Sequence, residues 1–219
     1  MPAIRTATRI AGLALLALAY GAAAVEPADL ELPKPRMAGG MPLLQALKTR
    51  QSTRAFSPKP LPEQMLADLL WAAFGVNRPE SGKRTAPSAR NWQEVEIYAV
   101  MATGTFRYDA AGNRLVAVAT NDLRQLTGPQ AFVAGAPLNL VYVADMARMQ
   151  GADPQDQALY AGADIGFIAQ NVYLFCASEG LGTVVRGMVD RDALARALHL
   201  ADSQRIVFAQ TVGYPADDR

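Results

Sequence analysis

The chain has 219 residues, 51% of them hydrophobic, which is enough for one domain with a full core. Its 21 lysines and arginines balance 20 aspartates and glutamates with no basic stripe and no acidic tail, so the charge pattern points away from nucleic acid and from polyelectrolyte partners. The single cysteine, Cys176, excludes an internal disulfide, and the fold must rest on its core.

Arg5 and Arg9 precede an apolar run from Ile10 to Ala19, and Ala22, Ala23 and Ala24 close it. That is the layout of a secretory signal peptide, 1–24, cleaved after Ala24. A membrane anchor is the rival reading. The run is short of the ~20 residues a spanning helix needs. No stable membrane insertion is expected after cleavage, and the mature protein is expected to be exported to the periplasm. Residues 25–42 are rich in proline, with Gly39 and Gly40, and read as an extended or irregular linker. The domain is then 43–219.

Pro62 to Phe74 predicts a helix, because Pro62 suits a first turn and Leu66, Leu69, Leu70 and Ala73 recur at helical spacing. Gly75 is placed to stop it in a left-handed conformation. Asn77 to Asn91 reads as loop. Glu94 to Met101 alternates as a strand with one buried side, Val95, Ile97, Ala99 and Met101 on it and Glu94 and Glu96 on the other, solvent-facing side. Thr105 to Ala119 predicts two strands joined by a turn at Asp109–Asn113. A short helix is expected over Asp122–Leu126 and a central strand over Leu138–Val143. Gln157 to Glu179 predicts the longest helix, apolar on most sides and so buried on most sides. A strand over Gly182–Val189 follows, then a helix capped by Asp190 and running to Leu200, then a strand over Arg205–Val212. This order does not alternate strictly as βαβ, and the fold class is α+β.

Three segments carry candidate chemistry. Arg50, Ser52 and Arg54 fall on one side of an extended segment, and two guanidinium groups with a hydroxyl can surround a phosphate. The bland alternative is a solvated polar turn. Thr85 to Gln93 sets Pro87 before Ser88, Asn91 and Gln93, short donors and acceptors that can read the edge of a heterocycle. The alternative is a turn into the next strand. Gly180-Leu181-Gly182 with Arg186-Gly187 follows a helix rather than opening one, so it is no dinucleotide fingerprint. Its use would be close approach of backbone N–H groups to a planar ring. His199, the lone histidine, reads as a surface residue, and with one distant cysteine it makes no metal site.

Together, and in this order, Arg50-x-Ser52-x-Arg54, Pro87-Ser88-x-x-Asn91-x-Gln93, Gly180-Leu181-Gly182-Thr183 with Arg186-Gly187, and Val212-Gly213-Tyr214-Pro215 resemble the FMN-dependent nitroreductase family. The stretches Leu70–Pro79 and Gly82–Ser88 are closest to its azoline-dehydrogenase-like branch, whose members act on peptides. The resemblance runs from Leu43 to Pro215. It implies a central, mostly antiparallel sheet flanked by helices, a homodimer with the long helix at its interface, and bound FMN. It implies Arg50 and Ser52, with Gln51 between them, at the phosphate and ribityl chain, and Arg54 at the pyrimidine edge. Pro87, Ser88 and Asn91 would line the flavin from the partner subunit. Backbone N–H groups of Arg186 and Gly187 would face N5 and O4, and Gln130 would lie near the flavin edge. Arg219 is the basic residue that follows Gly-Tyr-Pro, where the family binds phosphate. The implied activity is an FMN-dependent oxidoreductase working between an unnamed electron donor and a small-molecule substrate. A peptide azoline dehydrogenase and a non-catalytic flavin-binding protein are the alternatives.

Overall fold

The computed structural model describes residues 28 to 216, so the predicted signal segment and Arg219 lie outside the described residues. In chain order the elements are β1 (Leu30–Glu31), α1 (Leu43–Thr49), α2 (Glu63–Phe74), β2 (Val76–Arg78), β3 (Lys83–Arg84), β4 (Val95–Met101), β5 (Gly104–Asp109), β6 (Arg114–Ala119), β7 (Leu138–Asp145), α3 (Pro154–Ser178), β8 (Gly182–Arg186), α4 (Arg191–Ala197) and β9 (Gln204–Gly213). The fold is α+β, as expected. Its seven-stranded sheet runs β1-β6-β5-β4-β7-β9-β8, and every pairing within it is antiparallel.

The sheet has a core on each face. On one, Leu66, Leu69, Leu70 and Ala73 of α2 and Ile165, Ile168 and Val172 of α3 pack on Ile97, Leu140 and Tyr142. Leu69 and Leu70 are fully buried, and such a side chain contributes about 1.5–3 kcal/mol. On the other face, Leu194 and Leu198 cluster with Tyr98, Val100, Val141 and Val143. The expectation of one buried side for β4 is therefore wrong. Its second face meets the smaller core, and Glu94, assigned to solvent, is fully buried.

Other expectations need correction too. The lead-in packs on the domain. Leu30 pairs with Leu115, Ala117 N–H donates to Asp29 Oδ1 at 2.9 Å, and Arg36 Nε donates at 2.6 Å to buried Asp68. A sheet edge and a buried carboxylate draw in residues that composition marked as linker. Gly75 is extended (φ −70°, ψ 162°), not left-handed, because the chain passes straight into β2. A Cβ on Gly75 would lie 2.7 Å from Trp71 Cα. The stretch read as loop holds the β2–β3 hairpin and a single 3₁₀ turn over Ala89–Asn91. α4 ends at Ala197, short of Leu200, where His199 takes φ 53°. Only one side of α3 is buried within the chain: Leu159 and Phe167 are 63% and 48% exposed.

Candidate functional site

The Arg50–Arg54 segment leaves α1 and runs beside β8, which lies at one edge of the sheet. Thr53 N–H donates to Thr183 O at 2.9 Å. Gly182 permits that approach, since a Cβ there would sit 2.8 Å from Thr53 Cβ. Beyond the segment, Ser57 N–H donates to Tyr214 O and Ala216 N–H to Ala55 O, so the Gly-Tyr-Pro motif is tied to the same strip of chain. Tyr173 of α3 is the hub. Its hydroxyl lies 2.9 Å from Ser52 Oγ and accepts from Val185 N–H at 3.1 Å, and the Arg50 guanidinium lies 5.2 Å from its ring centre. Arg54 is exposed. Among the described residues neither Arg50 nor Arg54 forms an ion pair with a carboxylate. Two guanidinium groups and a hydroxyl beside the edge strand are thus gathered with no carboxylate partner among the described residues. Gln51 and Thr53 line an adjoining cavity of about 230 Å³ with Tyr173, Thr183 and Pro215.

The Pro87–Gln93 loop is a second, separate assembly. Pro87 and Asn91 are exposed. Ser88 Oγ donates to Glu94 Oε2 at 3.1 Å and accepts from Gln93 N–H at 2.8 Å. Ala89 N–H donates to Asp164 Oδ2 of α3 at 2.8 Å. Arg84 Nε reaches Gln93 Oε1 at 2.9 Å, Arg148 Nη1 reaches Gln93 O at 3.0 Å, and Trp92 meets Tyr160 edge-on at 5.9 Å. Arg90, Asn91 and Gln93 have φ of 50°, 57° and 47°, a left-handed region that is costly for side-chain-bearing residues.

Arg186 closes β8 and Gly187 follows it, exposed. The Arg186 side chain, unnoticed in the sequence, is buried. It donates to Thr211 Oγ1, Thr127 O, Asn139 Oδ1 and Gln130 Oε1, all uncharged acceptors. Burial pulls its pKa down to about 10. Gln130 is thus brought to Arg186. Apart from an arginine in a valine-rich strand, no sequence signal marks this.

One chain does not bring the two assemblies together. Asp164 and Tyr173 are nine residues apart on α3, roughly 13 Å along the axis and two and a half turns, so they face opposite sides. Between them, on the side away from the core, lie Gly166, Phe167 and Gln170, all exposed. Cys176 is buried in the main core, and burial pushes its thiol pKa up. His199 is exposed. Among the described residues no group of His, Cys, Asp and Glu side chains could hold a metal ion, and no helix is long and apolar enough to cross a membrane.

The model of the Nitroreductase family matches residues 47–214. The chain belongs to the nitroreductase family. A solved structure from Ralstonia eutropha JMP134, described as a nitroreductase, is 42% identical with a TM-score of 0.84, covering 89% of this chain and 93% of that one. A Methanocaldococcus jannaschii protein, also described as a nitroreductase, is 32% identical over 155 residues, 66% of this chain and 78% of its own length. The NADPH-flavin oxidoreductase of Vibrio harveyi is 33% identical over 103 residues, 43% of each chain. Nitroreductase membership and these relatives support an oxidoreductase that works with a flavin.

Proposed function

We propose that this nitroreductase-family chain is an FMN-dependent oxidoreductase that passes hydride from a reduced donor to a small organic acceptor. The observation that carries this reading is the strip of Arg50, Ser52 and Arg54 beside the edge strand, which has phosphate-binding chemistry and whose two guanidinium groups pair with no carboxylate among the described residues. The donor set fits FMN: Arg50, Gln51 and Ser52 would hold the phosphate and ribityl chain, Arg54 the pyrimidine edge. Arg186 and Gly187 would offer backbone N–H groups to N5 and O4, with Gln130 near the ring edge and Arg219 at the phosphate. When bound, FMN supplies hydride acceptance and donation at N5. The chain's own residues orient the ring and stabilise the charge that appears on it.

The mature protein, exported to the periplasm, would draw on a donor present there, since NAD(P)H is cytoplasmic. Purified protein should be yellow, and cofactor released by heating should comigrate with FMN. FAD in that position, or no flavin after reconstitution, would overturn the reading. Reduction and reoxidation of the bound flavin separate an enzyme from a flavin-binding protein that has lost turnover.

The same reading includes a homodimer. The loop and the strip are held on opposite sides of α3, so a two-fold partner can set its Pro87, Ser88 and Asn91 over this chain's strip. Phe167 and Leu159 on α3, with Leu43, Leu44 and Leu47 on α1, are exposed apolar side chains, of the kind that marks an interface. Light scattering should return the mass of two chains, and Phe167→Glu should shift it toward one. A flavin-loaded monomer of the unaltered protein rules the dimer out.

A peptide azoline dehydrogenase is the second reading. It is favoured by the Leu70–Pro79 and Gly82–Ser88 stretches, from which Trp71, Ala72, Asn77 and Thr85 line a cavity of about 510 Å³. Turnover of azoline peptides in preference to nitroaromatic compounds or quinones would establish it.

A further inference from the structure

Glu94 and Asp164 form a buried carboxyl pair that the reading above does not use. Glu94 is 0% exposed and Asp164 is 3% exposed. Glu94 Oε2 accepts from Ser88 Oγ, but Oε1 is buried with no partner. The Asp164 carboxyl lies within hydrogen-bonding reach of Glu94 and accepts Ala89 N–H through Oδ2. Two carboxylates cannot bond each other, because both only accept. One proton between them turns the orphan oxygen into a donor and leaves a single negative charge.

Among the described residues no cation forms an ion pair with either carboxyl. Desolvation is the largest influence on Glu94, followed by its own backbone N–H, the Asp164 charge and Ser88. The nearby arginines are engaged elsewhere: Arg84 and Arg148 on Gln93, Arg90 over the Trp92 ring. On β4, which Glu94 leads into, Glu96 pairs with Arg148 and Arg107, and on the neighbouring β7 Asp145 accepts from Ser203 and Ala147 N–H. Burial and the Asp164 charge push the Glu94 carboxyl up to about 7. The folded state therefore keeps a proton that the unfolded chain gives up near 4.5. Stability from the pair is full below the unfolded value and is lost as pH rises through the folded one.

What this proton holds is the strained loop. Ser88 and Ala89 are fastened to the two carboxyls, and Arg90, Asn91 and Gln93 follow in left-handed backbone that persists only if its ends are fixed. We infer that Glu94 and Asp164 are positioning residues whose shared proton clamps the Pro87–Gln93 loop on α3, and that loss of the proton releases the loop and weakens the flavin it covers. The flavin half rests on the proposed function above. The clamp itself does not.

Two readouts on the intact protein test both halves. Trp92 lies within the loop against Tyr160, so with Trp71→Phe as background its emission reports release even without flavin. In the apoprotein this emission should shift to the red between pH 6 and 8, centred near 7. FMN affinity should fall about tenfold from pH 6 to 8 if only the clamped state binds. Glu94→Gln keeps the Ser88 acceptor and supplies a permanent donor to Asp164. It should bind FMN as tightly as the unaltered protein at pH 6, with both pH dependences flattened. Asp164→Asn, a second variant should the first not fold, removes the like charge and should move the Trp92 transition to lower pH. Identical Trp92 titrations in the unaltered protein and both variants overturn the clamp. A Trp92 transition with FMN affinity that follows the same pH course in Glu94→Gln overturns its link to flavin. A Trp92 transition with no FMN bound at any pH overturns the proposed function and leaves the clamp standing.

Discussion

If the proposed function holds, Arg54→Gln should lower the midpoint potential of bound FMN by about 30–65 mV, whereas Arg50→Gln should leave it nearly unchanged and weaken both redox forms about 10- to 150-fold. Both figures follow from roughly 1.5–3 kcal/mol for a charge-assisted contact, with 30 mV per 1.4 kcal/mol for a two-electron couple and 1.4 kcal/mol per tenfold in affinity. The roles differ because the charges they meet differ. Arg50 is held over Tyr173 beside Ser52, where the proposed phosphate would carry the same charge in either redox state. Arg54 would stand at the pyrimidine edge, where negative charge appears only on reduction. A contact stronger in one state changes the equilibrium between the states, and a contact equal in both changes only affinity. Arg54 is exposed in the single chain, so solvent screening places its effect at the low end unless the partner covers it. Potentiometric titration of the two variants, with FMN fluorescence for affinity, measures both. Equal potentials in the two would show that the arginines have been given the wrong roles.

Arg186→Leu destabilises the fold by about 2–4 kcal/mol, read as the change in unfolding free energy in urea. The guanidinium bonds Thr127 O, Thr211 Oγ1, Asn139 Oδ1 and Gln130 Oε1 within the protein. Leucine fills much of the volume and donates nothing. Thr211 Oγ1 and Asn139 Oδ1 still have each other at 2.6 Å, so the main loss falls on Thr127 O and Gln130. Removing a desolvated cation returns part of that cost, which is why the estimate stays below the sum of the lost bonds. Arg186→Lys keeps the charge but has a compact head with three donors in place of a planar fork, and should recover only part of the stability. Against a typical total of ~5–15 kcal/mol, the leucine variant should melt well below the unaltered protein. An unchanged unfolding free energy would mean that the side chain does not hold the 127–130 segment to the sheet.

What could be read along the chain was what depends on near neighbours. The apolar spacing of Leu66, Leu69, Leu70 and Ala73, the Asp190 cap, whose side chain accepts from Ala193 N–H, and the turn at Asp109–Asn113 are local, and each stands where expected. The motifs from Arg50 to Pro215 that carry the family resemblance were legible for the same reason: each lies within one short segment. Tertiary structure alone decided which faces are covered and which charges are paired. Alternation in β4 shows two faces but cannot show that Leu194 and Leu198, about a hundred residues on, close the second. Glu94 read as a solvated face, yet it is buried against Asp164, a residue 70 positions later. Arg186 was marked for its backbone, while its side chain reaches Thr127, 59 residues earlier in the chain. Such pairings close long loops between distant residues, and only the packing of the whole sheet compensates that entropy and places the partners together.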